Sequence, residues 1–315
     1  MIDKIVIRNI ENGEEQEMGS DSPVFVLDSI DWDSPSISME SYRVPFQIGQ
    51  TLSGVTVGTR KPTVTGYVVA DTSKIKALGK TWEEFFDEQE QQIEESKKKL
   101  DKLISVYQDV VIKAGEYFLD ARPTQPPKYS TERKENNEVM CLFTLEFECY
   151  NPLFYSESKI VELASISSDF HFPLIIPKES GVIFGKIMRR QSLIVENAGD
   201  SAVGCIITIA AEGGQVKNPS VYNVNTGKKI TLDGVTLNDG DVVTINTNVG
   251  EENVVQHIRS ESKDVSLIGY VRTGSDFIQI EQGSAFYAYE VDEQYKNNIV
   301  VSISYVERYF NIRGM

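Results

Sequence analysis

Asn218-Pro219-Ser220-Val221-Tyr222-Asn223-Val224-Asn225-Thr226-Gly227, then Leu237-Asn238-Asp239-Gly240-Asp241, then Ile245-Asn246-Thr247, reads as turn, strand, turn, strand, turn, strand. Asn218-Pro219 opens one turn, Asn225-Thr226-Gly227 makes the next and Asn238-Asp239-Gly240-Asp241 the third. Asn and Asp side chains bond their own backbone, and Gly accepts backbone angles that other residues resist. Lys229–Leu232 and Asp241–Ile245 carry the β-branched residues of half-buried strands. Gly240 is expected at positive φ in a hairpin, and Asp241 is expected to make one local hydrogen bond. Ser192–Val195, Cys205–Ile209, Asn253–Ile258, Phe277–Ile280 and Ile299–Val306 are further strand candidates. Their spacing is that of a β-sandwich.

The N-terminal half mixes strands with a helix. Residues 2–10 read as an edge strand and the polar stretch 11–22 as a loop. Val24–Leu27 and Ser36–Met39 read as short strands around a tight Asp31-Trp32-Asp33-Ser34-Pro35 turn. Thr63–Val69 alternates as a strand, and Val139–Tyr150 is the strongest strand signal in the chain. Thr81 and Glu84 form a capping box that starts a helix over 81–107, with Trp82 anchoring its first turn. The aliphatic residues predict that both ends of this helix pack, while its Glu-, Gln- and Lys-rich middle (87–99) meets water or a partner. Pro123, Pro126 and Pro127, followed by Lys128 and Tyr129 within the polar stretch 121–138, predict an extended loop or long hairpin arm rather than core. Asn151-Pro152 ends the strong strand. A cluster of Ser156, Ser158, Ser165, Ser167 and Ser168 predicts a linker near 157–170, dividing the chain into domains 1–160 and 161–315.

The chain has 315 residues, 40% of them hydrophobic, with 47 acids against 31 bases and a formal charge of −16. Neither half is basic, so binding to nucleic-acid phosphates is not expected. Cys141, Cys149 and Cys205 are expected as buried, reduced thiols, consistent with folding in a reducing cytoplasm. No signal peptide and no membrane span are expected.

Catalytic, metal and cofactor motifs are missing from the sequence. The two histidines, His171 and His257, suit structural roles, and no P-loop, nucleophile elbow or Cys-x-x-Cys occurs. Ser156-Glu157-Ser158-Lys159 fits Ser-x-x-Lys but reads as linker. Asp31/Asp33 and Asp239/Asp241 lie in turns where Asp caps backbone, and Asp239-Gly240-Asp241 lacks the ligand series of a calcium loop. Tyr222, Phe277, Phe286, Tyr287 and Tyr289 could offer stacking faces to a sugar, which makes a carbohydrate-binding module the alternative reading. The alternation of Ala285–Tyr289 speaks for packing instead.

Several landmarks in order resemble the phage distal tail protein family: Cys149-Tyr150-Asn151-Pro152-Leu153-Phe154, Phe172-Pro173, Glu196-Asn197-Ala198-Gly199-Asp200, Asn218-Pro219, Thr226-Gly227, Gly240-Asp241, Asn246-Thr247 and Asp276–Gly283. The resemblance implies a mainly β chain: an N-terminal split β-barrel with an inserted long helix and a projecting arm, followed by a galectin-like β-sandwich. It implies a structural role for the turn residues Asn151, Pro152, Asn218, Pro219, Thr226, Gly227, Gly240 and Asp241. Its implied partners are five further copies in a six-fold ring, the tail tube protein, a tail-associated hub or lysin protein and a receptor-binding protein. The implied place is the virion tail, assembled in the bacterial host cytoplasm. The candidate subunit contacts are the 2–10 edge, the 121–138 arm and the helix middle. The helix at 81–107 and the loop at 10–22 are longer than in the shortest members of that family.

Overall fold

The computed structural model describes residues 4–71, 73, 81–167, 186–189 and 192–312, with side chains omitted at 164–167 and 186–189. Phe170, His171, Phe172, Pro173 and Ser168, singled out above, lie outside the described residues. The chain forms two compact units. One runs to Tyr155 and also takes the segment from Phe310 onward; the other is Ser156–Tyr309.

The first unit is built from β1 (Lys4–Asn9), β2 (Glu15–Gly19), β3 (Phe25–Asp31), β4 (Ile37–Tyr42), β5 (Thr51–Val57), β6 (Thr63–Val69), α1 (Trp82–Leu103), β7 (Val110–Ala114), β8 (Tyr117–Pro123), β9 (Lys128–Tyr129), β10 (Met140–Glu148) and β11 (Phe154–Tyr155). The order β8-β7-β1-β2-β3-β6-β10 closes when β10 pairs back to β8, Phe147 with Pro123 and Glu148 with Arg122. Strict period-2 burial along β6 and β10 places Val64, Val68, Phe143 and Phe147 inside the barrel. That alternation follows from successive side chains pointing to opposite faces of a strand. Gly66 sits at a close approach inside the barrel: a Cβ there would meet the Val26 carbonyl at 2.6 Å and Phe143 Cζ at 2.7 Å.

Barrel closure overturns two expectations. Residues 2–10 are not an edge, because β1 pairs with β2 on one side and β7 on the other. The stretch 11–22 is not all loop, because Glu15–Gly19 forms β2 with Met18 fully buried. One inward methionine among polar neighbours is too weak a signal to mark a strand, yet the ladder bonds of a barrel need only backbone.

The Thr81/Glu84 capping box is present: Thr81 Oγ1 accepts from Glu84 N–H at 3.3 Å, and Glu84 Oε2 accepts from Thr81 N–H at 2.9 Å. The packing of α1 meets the expectation at its C-terminal end, where Leu100, Leu103 and Ile104 are buried, and departs from it at its start and middle. Gln89, Ile93 and Ser96 make a buried i, i+4, i+7 stripe through the middle that runs on into Leu100 and Leu103. Trp82 is 79% exposed, and α1 ends at Leu103, leaving Tyr107 outside it. Gln89 and Ser96 occupy core-facing positions, so composition hides a stripe that geometry makes plain.

The second unit contains β12 (Lys159–Ser167), β13 (Lys186–Arg189), β14 (Leu193–Asn197), β15 (Cys205–Ala211), β16 (Val216–Lys217), β17 (Ser220–Asn223), β18 (Lys229–Thr231), β19 (Thr236–Leu237), β20 (Val242–Asn246), β21 (Asn253–Ile258), β22 (Lys263–Ser266), β23 (Gly283–Glu290) and β24 (Ile299–Tyr305). One sheet has the order β13-β12-β24-β15-β20-β21-β22 and the other β14-β23-β17-β18. Val195, Ile207, Ile209, Ile245, Tyr287 and Ile303 belong to one core fed by both sheets, which defines a β-sandwich. The described part of the Ser-rich stretch is not a linker but a strand over Lys159–Ser167. Lys159–Ala164 pairs with β24 and Ala164–Ser167 with β13, and Leu163 is buried. The serines on either side of Ile160, Val161 and Leu163 still supply a full set of backbone donors and acceptors. Phe277–Ile280 is not a strand; Ile280 makes only an isolated bridge to Val203.

Candidate assembly surfaces

The turn residues act as backbone anchors. Asn151 Oδ1 accepts from Leu153 N–H at 3.3 Å. Asn218, at φ 47°, accepts from Val235 N–H at 3.1 Å, and the Pro219 carbonyl accepts from Leu232 N–H at 3.1 Å. Asn223 Oδ1 accepts from Asn225 and Thr226 N–H, while Gly227 takes φ 73° to close the β17–β18 hairpin. Gly240 has φ 86°, as its sequence context requires. The turn it makes joins β19 to β20, which are not paired with each other; β19 pairs with β16 and β20 with β15 and β21.

Asp241 is only 2% exposed, and it does more than cap its own turn. It accepts from Asn238 N–H (3.0 Å), Arg259 N–H (3.0 Å) and Gln256 Nε2 (3.2 Å). Asp239 accepts from Gly213 N–H at 2.6 Å. Both carboxylates are therefore engaged by donors of the chain itself. Among the described residues no group of His, Cys, Asp and Glu is arranged to hold a metal ion.

The three thiols are free and buried. Burial pushes the Cys149 thiol up to about 12 and the Cys205 thiol up to about 11, which keeps both protonated and unreactive at neutral pH. His257 is exposed, with Nδ1 2.7 Å from Asp264 Oδ1. The five aromatic residues that might face a sugar do not form a platform. Tyr287 is buried, its hydroxyl donating to the Gln279 carbonyl and accepting from Asn223 Nδ2. Phe277 and Tyr289 pack on the core, Lys229 lies over the Tyr222 ring, and Phe286 alone among them is 44% exposed.

The projecting element lies elsewhere than expected. Pro123 and Pro127 are buried, Lys128–Tyr129 pairs with β10, and the Tyr129 hydroxyl reaches Asp101 Oδ1 (2.8 Å) and the Lys97 carbonyl (3.1 Å). The segment 121–138 is thus tied to the barrel wall by ladder bonds that its proline content obscures. The free arm is instead the β4–β5 hairpin, an isolated two-stranded sheet of six paired positions from Ile37↔Val57 to Tyr42↔Thr51. All of β4 is exposed, and the tip residues Phe46 and Ile48 are fully so. Apolar side chains displayed in this way mark a surface meant to be covered.

At the base of this hairpin sits Arg60, 0% exposed. Its Nε donates to the Pro152 carbonyl (2.8 Å), Nη1 to those of Asp33 (3.0 Å) and Trp32 (3.3 Å), and Nη2 to that of Phe310. Its Cζ lies 4.5 Å from the Phe154 ring centroid. Burial lowers its pKa, yet a guanidinium with four carbonyl partners stays charged. Beside it opens a cleft of about 930 Å³, walled by Leu27–Ser34, Phe154, Asn311 and Ile312. No helix among the described residues is long and apolar enough to cross a membrane.

Comparison with known proteins agrees with this architecture. Residues 198–309 match the family model described as siphovirus-type tail component, C-terminal domain (SPP1_Dit). The crystal structure of SPP1 Dit (gp 19.1), described as a paradigm of the hub adsorption apparatus in phages infecting Gram-positive bacteria, superposes with a TM-score of 0.60. The two share 13% identity over 96% of this chain and 98% of that one. Chains of the phage P2 baseplate, in its activated conformation with Ca or Sr, align at TM-scores of 0.45 and 0.44 with 8% identity, covering 96% of this chain and 97% of theirs. A search of curated proteins finds no match to the sequence. Residues 198–309, within the second unit, are thus similar to the C-terminal domain of siphovirus-type tail components. The chain shares its fold with SPP1 Dit.

Proposed function

We propose that this protein is a structural part of a phage tail, closing into a six-fold ring that joins the tail tube to the adsorption apparatus. The observation that carries the reading is the tail-component match over 198–309 on a chain whose barrel and sandwich follow the SPP1 Dit fold from end to end. The protein is a component of the virion tail, and its partners are other copies, the tail tube protein, a hub or lysin protein and a receptor-binding protein. It acts by geometry, without catalysis. A ring needs heterologous contacts, in which one patch of each copy meets a different patch of the next. The β4–β5 hairpin is the first candidate for such a patch, and Pro123, Pro126, Pro127, Lys128 and Tyr129 the second. Native mass spectrometry and electron microscopy of the full chain, alone and with the tail tube protein, test the reading. Six-fold particles are expected. Monomers under every condition would sink it.

A further inference from the structure

α1 carries its charge in two blocks. From Trp82 to Ser96 every charged residue is an acid; from Lys97 to Leu103 four of the five are lysines. On the side opposite the buried stripe, the outward face reads Glu83, Asp87, Gln91, Glu94, Lys98 and Lys102, all of them exposed. The helix macrodipole favours acids in the first turn and bases in the last, but its reach ends there, short of Asp87 and Lys98. Within one helix the arrangement carries a cost, because Glu83–Asp87 and Lys98–Lys102 are like-charge i, i+4 pairs. A surface of opposite charge laid along the face turns that cost into attraction.

The face is its own complement. Turned end for end, Glu83 falls opposite Lys102, Asp87 opposite Lys98 and Gln91 opposite Glu94, since each pair lies symmetrically about the Gln92–Ile93 peptide bond. The aromatic residues follow the same symmetry. Trp82 and Phe86, stacked with centroids 6.4 Å apart, are exposed at the start of α1, and Tyr107 is 86% exposed just past its end. Exposed aromatic surface of this kind is apolar area available to a partner.

We infer that α1 pairs antiparallel with α1 of a second copy of this chain across a two-fold axis. Glu83 and Asp87 of each copy then face Lys102 and Lys98 of the other, and the Trp82–Phe86 pair of each lies beside Tyr107 of the other. Such a contact is isologous and closes on itself as a pair. It goes beyond the ring reading, which uses head-to-tail patches, and either can fail without the other. Exposed ion pairs are individually weak and screened by salt, so the pairing depends on concentration and loosens in high salt. Lys102 also pairs with Glu14 of its own chain, so Asp87 and Lys98 give the cleaner test.

Single cysteine substitutions on this face read the register in the full chain, where the native thiols are buried. In the antiparallel pair Gln91 lies roughly 5 Å along the axis from its own mate, and Asp87 roughly 16 Å from its own, at the rise of an α-helix. With a short bis-maleimide linker, Gln91→Cys is expected to cross-link to a dimer by itself. A mixture of Asp87→Cys and Lys98→Cys chains is expected to do so too, and Asp87→Cys alone is not. Glu116→Cys, exposed in the β7–β8 hairpin turn, gives the background yield. Gln91→Cys at that background, a mixture without dimer, or Asp87→Cys alone matching the mixture overturns the inference. Added to Gln91→Cys, Asp87→Lys is expected to lower the dimer yield about fivefold. Lys98→Asp added to both should restore most of that loss, because the swapped charges meet again across the axis. The macrodipole alone would instead make the charge-swapped chain the worse of the two; that result, or no loss from Asp87→Lys, speaks against the contact. Native mass of the wild type reads the ring separately: a six-fold particle without the Gln91→Cys cross-link removes the helix pair and leaves the ring.

Discussion

The guanidinium of Arg60 donates to the carbonyl of Phe310, 250 residues further along the chain. The same side chain holds Pro152, just before the chain enters the second unit, so one buried cation fixes both the departure and the return of the backbone within the first unit.

Removing Arg60 orphans four carbonyls at once. Arg60→Met is expected to destabilise the first unit by about 3–5 kcal/mol, because each buried acceptor left without a donor carries a desolvation cost. Arg60→Lys should be nearly as damaging, since an ammonium cannot reproduce the planar fork. Urea unfolding followed by separate probes in each unit checks this; an unchanged first transition would contradict the assigned role.

Glu307 anchors the second unit. Its carboxylate, 3% exposed as a side chain, accepts from Lys159 Nζ (2.7 Å), Ala198 N–H (2.8 Å) and the Tyr309 hydroxyl (2.6 Å). Burial alone would raise its pKa, but these donors hold it below the ordinary value. A depressed folded pKa contributes stability that is complete above the unfolded value, near 4.3, and is lost as pH falls through the folded pKa. Glu307→Gln should cost about 2–3 kcal/mol at neutral pH and flatten the acid limb of a melting-temperature profile. An acid limb identical to wild type would refute it.

The turn at Gly240 separates strain from hydrogen bonding. Gly240→Val should cost about 1–3 kcal/mol through positive φ, and its Cβ would also press on Arg259 Cδ, 2.4 Å away. Asp241→Ala should cost about 2–4 kcal/mol, more than one local bond would imply, because three donors lose their acceptor in a buried site. Thermal shifts of both variants should be the same with and without calcium; a calcium-dependent rise in the wild type would instead mark Asp239 and Asp241 as ligands.

Gly66→Ala tests the tightness of the barrel. With the Val26 carbonyl and the Phe143 ring inside van der Waals distance of the new methyl, the cost should be about 1–3 kcal/mol, confined to the first unit. A neutral effect would show that the wall can yield.

Trypsin should cut first at Arg43, in the exposed hairpin, and leave both units folded. Early cleavage within 159–167 would argue against β12 as a paired strand.

Some of this protein was legible in its sequence. The turns at Asn218, Gly227 and Gly240, the capping box at Thr81 and the alternation of β6 and β10 depend on residues within a few positions of one another, and local chemistry decides them. The ordered landmarks from Cys149 to Gly283 carried the family resemblance for the same reason. Other features depend on partners distant in the chain. β1 ceased to be an edge because β7 pairs along it, Lys159–Ser167 became a strand because β24 and β13 pair with its backbone, and Gln89 and Ser96 became core because α1 lies against the barrel. The free arm could not be read from composition, since the Pro-rich segment looks extended whether or not it is paired, and the β4–β5 hairpin has the β-branched and aromatic residues of a buried strand. Exposure is a property of what packs nearby, so the hairpin, the Arg60 node and the cleft beside it were decided by the tertiary structure.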